Sequence, residues 1–303
     1  MAGSRLESHH HHPAPGSRYV WATMGLNFAI FLAELVGGLV AGSLALIADS
    51  FHNLTDLTAL VLVLVARRLQ RIPPSAGHTF GYRRADVMAG FINAGILFLA
   101  MGAVLARAVE HLATPRPVAG GLMLGIGSFG LVANTLGVWL LHRDPAQDIG
   151  LRSAGLHLLT DAASSAAVVV GGWAVWSLGW YRVDPILSLI IAGAAMVGAV
   201  AVMREGLHIL MEGTPRHLNL AEVTAAMLAV PGVEAVEHVH LWSLASTEPS
   251  LTATLVLSDQ PLSEAESVLR AVERQVDECF HIRHTVLQVE PGGQALRVGT
   301  GCP

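Results

Sequence analysis

The sequence predicts a membrane-embedded all-α domain of six transmembrane helices followed by a smaller α+β domain. Three observations carry that expectation. Charged residues make up only 14% of the 303 residues and hydrophobic ones 52%, whereas soluble globular proteins carry about 25% charged residues. Mean hydropathy is +0.53. Six apolar segments reach the roughly 20 residues that a helix needs to cross a bilayer, at 19–40, 44–66, 86–107, 118–141, 154–178 and 185–203.

Residues 1–18, MAGSRLESHHHHPAPGSR, combine Pro and Gly with the run His9–His12 and are expected to be disordered. The run is either a natural metal-collecting tail or an expression remnant. Residues 19–208 form the transmembrane domain. From 209 to 292 the pattern changes: LNLAEVTAAMLAV is amphipathic, VEAVEHVHLWSL and SLTATLVLSD alternate, SEAESVLRAVERQVDECF is amphipathic again, and HTVLQVE is a last strand. That order predicts an α+β domain with its helices on one face of the sheet. Residues 293–303, with PGGQALRVGTGCP spanning the join, are a frayed tail.

All 18 basic residues are arginine, and their placement orients the spans. Arg5, Arg18, Arg67, Arg68, Arg71, Arg83, Arg84, Arg143, Arg152, Arg204 and Arg216 fall on one side, against Arg107, Arg116 and Arg182 on the other. Both termini and the α+β domain are therefore expected in the cytoplasm. The net charge of −5 is unclustered and argues against a nucleic-acid partner. Cys279 and Cys302 form no C-x-x-C and support no disulfide framework.

Ionisable residues inside spans are costly, about 2.5–3.5 kcal/mol for Asp at mid-membrane, and mark function by default. In ADSFHNLTDLT (48–58), His52 and Asp56 are four apart and share a helix face. AGLHLLTDAASS, in the fifth span, repeats the spacing with His157 and Asp161. Two such faces brought together make an N2O2 set suited to a tetrahedral divalent ion, zinc above all. Two aspartates would neutralise a dication, and in its absence protons would take its place, so metal-for-proton exchange follows from the same four residues. Asp49 stands on a neighbouring face and is expected in the supporting layer or on the ion path, as are Glu34 and Asn53. Asn27, Asn93 and Asn134 are expected as interhelical hydrogen-bond partners.

The chain resembles the cation diffusion facilitator family of proton-coupled zinc exporters. The resemblance is carried by FLAELVGGLVAGSLALIADSFHNLTD (31–56), HTFGYRRADVMAGFINA (78–94), SAGLHLLTDAASSAAVV (153–169), VDPILSLIIA (183–192) and VHLWSL (239–244). It implies that His52, Asp56, His157 and Asp161 form the transport site, with histidine in both pairs favouring zinc. It further implies alternating access, export of metal against protons, and a homodimer joined through transmembrane contacts and ferredoxin- or metallochaperone-like cytoplasmic domains. Zinc would be substrate and also a regulatory ligand, with no cofactor required.

Two family features are weakened here. The loop site between spans two and three keeps His78 but has Ser75 and Tyr82 at the other expected positions. The loop HRDPAQDIG (142–150) is short and lacks a histidine-rich insertion, which suggests a compact member in a bacterial inner membrane. In the cytoplasmic domain the candidate ligands are His238 and His240, expected on one face of a strand with Glu237 opposite, together with His281, His284 and Glu290. Trp242 is expected at the dimer contact.

An intramembrane metalloenzyme would need an open coordination position and a base, and no H-E-x-x-H is present. A metal-gated channel would need weaker binding than this ligand set offers. Within the transporter class, cobalt, cadmium, nickel and ferrous iron are the alternative substrates.

Overall fold

The computed structural model describes residues 17–142 and 149–292, with side chains described for 25–139 and 158–292. Six long helices come first: α1 (Ser17–Ala41), α2 (Leu44–Gln70), α3 (Ala85–Ala113), α4 (Gly120–His142), α5 (Ile149–Leu178) and α6 (Val183–Leu210). After them come α7 (Leu220–Leu228), β1 (Val233–Ala245), β2 (Glu248–Leu257), α8 (Leu262–Phe280) and β3 (His284–Pro291). The described parts of α2 to α6 are each long and apolar enough to cross a membrane, and α1 contributes the apolar stretch Gly25–Ala41. Helices α3 and α6 run beyond the apolar segments 86–107 and 185–203. Their ends carry Glu110, His111, Glu205 and His208, which tolerate water while the backbone hydrogen-bond ladder continues.

The described residues divide into two compact units, one drawn from 17–60 and 95–199, the other from 61–94 and 200–292. In the first, a short turn joins α1 to α2. Gly42 takes φ +68°, the left-handed conformation that ends helices at low cost for glycine, and Ser43 N–H returns to the Gly38 carbonyl at 2.9 Å.

Ser43 then caps α2, its Oγ accepting from Leu46 N–H at 3.2 Å. The two preceding donors of α2 are met from another helix. Asp184, fully buried in the first turn of α6, accepts from Leu44 N–H at 2.9 Å, Ala45 N–H at 3.2 Å and Ser43 Oγ at 2.6 Å. A carboxylate at a helix N-terminus also meets the positive end of the helix dipole. This clamp fixes the start of the helix that carries His52 and Asp56. Helices α4 and α5 approach backbone to backbone: a Cβ on Gly172 would lie 2.6 Å from Leu124 N.

In the second unit the sheet order is β1-β2-β3, with β1–β2 antiparallel and β2–β3 parallel across the α8 crossover. Helices α7 and α8 close one core through Val223, Met227, Val272 and Val276 against Leu241, Leu251 and Leu255. The β1–β2 turn is tied to the start of α3, where Asp86 accepts from Ser246 N–H and Oγ, and Arg83 pairs with Glu248. Strand β1 carries a bulge: its register shifts between Glu237 and His240, and His238 takes φ +49°, while His238 and His240 are both exposed with Val239 partly buried between them.

Asp184→Ala leaves Ser43 and two buried backbone donors of α2 without their acceptor. It is expected to cost about 3 kcal/mol, read as a lower thermal unfolding midpoint in detergent. Ser43→Ala, which leaves Asp184 its two backbone donors, should cost about 1 kcal/mol.

Candidate metal centre

The helical repeat alone stacks Asp56 one turn beyond His52 on α2. Tertiary packing brings α5 alongside. His52 Nε2 lies 3.5 Å from Asp161 Oδ1 and 4.0 Å from Asp56 Oδ2. One donor atom from each of His52, Asp56 and Asp161 can be chosen so that all lie within 4.8 Å of one another. Ligands 2.0–2.1 Å from a tetrahedral zinc are roughly 3.3 Å apart, so a modest contraction would bring these three onto one ion. His157 sits on α5 one turn before Asp161; its side chain lies outside the described residues.

Exposure differs across the group. The Asp161 side chain is 5% exposed, while His52 and Asp56 keep 26% and 24%. Asp161 is thus the most deeply buried of the three donors. Neither 44–60 nor 158–178 contains an arginine or lysine, so a bound cation would be the counter-charge for these carboxylates.

Behind the donors lies a buried polar layer. Ser164 Oγ donates to Asp49 Oδ1 at 2.7 Å and approaches the Asp161 carbonyl at 2.9 Å, joining α2 to α5. Asn53, adjacent to His52, donates from Nδ2 to Glu34 Oε2 at 2.7 Å and joins α2 to α1. Glu34, Asp49 and Asn53 thus support the donor group from outside it. Ser164 escaped the sequence reading, although its spacing of three from Asp161 puts it on the neighbouring turn of the same helix.

The other candidates lie apart from this group. His238 and His240 are exposed on β1, Glu237 pairs with Thr254 across the sheet, and Glu290 accepts from Gln288 Nε2 at 3.1 Å. His281 ends α8 in the left-handed conformation, and His284 opens β3 with its ring edge-on to Phe80, 5.5 Å between centroids. Among the described residues these six form no group of three donors within 4.8 Å. His78 pairs with Ser75 in a short backbone bridge and stacks on Tyr82 at 4.6 Å.

Two family descriptions match the chain: the cation efflux transmembrane domain over residues 20–211 and the cation efflux protein cytoplasmic domain over 215–292. The zinc transporter ZitB of Shigella flexneri is 34% identical over 96% of this chain and 93% of its own length. The cadmium, cobalt and zinc/H(+)-K(+) antiporter of Bacillus subtilis is 29% identical over 93% of this chain and 91% of its own. The metal cation efflux system protein CzcD of Cupriavidus metallidurans is 30% identical over 93% of this chain and 89% of its own. The chain belongs to the cation efflux family, the cation diffusion facilitators, and is an integral membrane metal-efflux transporter rather than an enzyme.

Proposed function

We propose that the chain exports zinc from the cytoplasm in exchange for protons, alternating access around a tetrahedral site of His52, Asp56, His157 and Asp161. The observation that carries this reading is the approach of Asp161 on α5 to His52 on α2, 3.5 Å apart inside a helical membrane domain. Each helix carries an imidazole and a carboxylate one turn apart, so the helix pair that supplies Asp161 and His52 would also supply Asp56 and His157. In the metal-free state protons replace the dication among the carboxylates, and zinc entry displaces them. The names of the Shigella and Bacillus relatives, a zinc transporter and a proton-linked zinc antiporter, support the substrate and the exchange.

The working unit is a homodimer with cytoplasmic termini, set in a bacterial inner membrane. Residues 19–208 form its transport domain and 209–292 a regulatory domain. Zinc held at His238, His240, His281, His284, Glu237 or Glu290 would require donors from both protomers to complete a site, given their separation in one chain. The reading calls for no cofactor, since zinc is cargo.

In proteoliposomes with an imposed pH gradient, zinc uptake is expected to depend on the gradient, and Asp161→Ala should lower it at least about 100-fold. Undiminished uptake by that variant would remove the four residues from the transport path. His52→Asp replaces imidazole with a harder oxygen ligand. It should shift the ratio of manganese to zinc uptake upward by about tenfold, read by competition in the same vesicles.

A further inference from the structure

Contacts between α2 and α5 near the donors are of two kinds. His52 Nε2 faces Asp161 Oδ1 at 3.5 Å, but both atoms belong to the donor group and turn to an ion once one is bound. The hydrogen bond from Ser164 Oγ to Asp49 Oδ1, at 2.7 Å, uses neither donor side chain. Asp49 stands three residues before His52 on α2 and is 2% exposed, and Ser164 stands three residues after Asp161 on α5. Each therefore lies on the turn next to a donor.

Ser164 is a short tether. Only χ1 separates its oxygen from the α5 backbone, so a bond made at Oγ holds the helix itself rather than a long flexible arm. The same oxygen lies 2.9 Å from the Asp161 carbonyl, on the turn that carries the buried donor. Helix α5 is also stopped against α4. A Cβ on Gly127 would lie 2.9 Å from Val168 Cγ1, and one on Gly172 would lie 2.6 Å from Leu124 N. A backbone-close contact with α4 and a hydrogen bond to α2 thus hold α5 together. Spacing matters because ion size sets it. Ligand atoms around a tetrahedral ion stand about 1.6 bond lengths apart, and a larger dication pushes them further. Zinc and cadmium share their charge and both accept imidazole and carboxylate, so the separation of α2 and α5 is what distinguishes them here.

We propose that Ser164, through its bond to Asp49, is a positioning residue that fixes the α2–α5 spacing and so makes the site favour zinc over the larger cadmium ion. It rests on the four-residue reading above. Asp49 acts here as the acceptor on α2 and holds no metal. With the bond in place the donors of the two helices suit short zinc bonds. Without it α5 is free to move away from α2 and accept longer ones.

The test is a ratio of affinities. Purified full-length protein in detergent is titrated with zinc and with cadmium, each against a competing chelator, and the binding that Asp161→Ala abolishes is assigned to the site. In Ser164→Ala the cadmium-to-zinc affinity ratio of that binding should rise about tenfold, the equivalent of one hydrogen bond to a charged group. Ser164→Thr keeps the hydroxyl and should keep the wild-type ratio. A Ser164→Ala ratio equal to that of wild type would overturn the proposal, even with both affinities lowered, because equal weakening marks a residue that only supports the fold. A Ser164→Thr ratio as high as that of Ser164→Ala would overturn it too. Should Ser164→Ala fail to fold, Asp49→Ala breaks the same bond from α2. The charge it removes acts alike on two dications, so an unmoved ratio there overturns the proposal as well. If Asp161→Ala abolishes no binding, the four-residue reading itself falls.

Discussion

Asp161 meets His52 in a region without an arginine or lysine, and the structure around them is organised by that concentration of acid. Charge buried in an apolar setting is tolerated only when it is paired, hydrogen-bonded or balanced by a bound ion. Asp49, Asp56, Asp161 and Glu34 all fall in one unit, where Ser164 donates to Asp49 and Asn53 to Glu34. In the proposed cycle, a divalent cation and protons take turns in balancing this concentration of acid.

Such a site works only if its helices are held in register. The Asp184 clamp on the first turn of α2 does this from one end, replacing the water that would satisfy a helix N-terminus in solution. Ser164 and Asn53 do it at the level of the ligands, one linking α2 to α5 and the other α2 to α1. His52 and Asp56 are partly exposed within this chain, whereas Asp161 is buried.

Much of the fold was legible from composition and periodicity. Six apolar stretches can only be membrane helices, because a bilayer leaves backbone groups no partner but their own helix. The helix–strand–strand–helix–strand order of the C-terminal part followed from its change of period. The bulge at His238 has only a faint trace in VEHVH, the two successive polar residues Glu237 and His238, and its register is decided where β1 must fit β2. The helix ends at Ala113 and Leu210 were missed for a related reason, since hydropathy marks where lipid stops and not where the backbone ladder does.

The sequence by itself determined which residues on a given helix share a face. His52 with Asp56, and His157 with Asp161, are set by the 3.6-residue repeat, which is local and needs no partner. Only the tertiary structure decided which faces meet. That Asp161 comes to His52, that Ser164 reaches Asp49, and that Asp184 caps a helix some 140 residues away depend on how helices remote in the chain pack. Helix packing is a property of whole surfaces, and no short stretch of sequence encodes it.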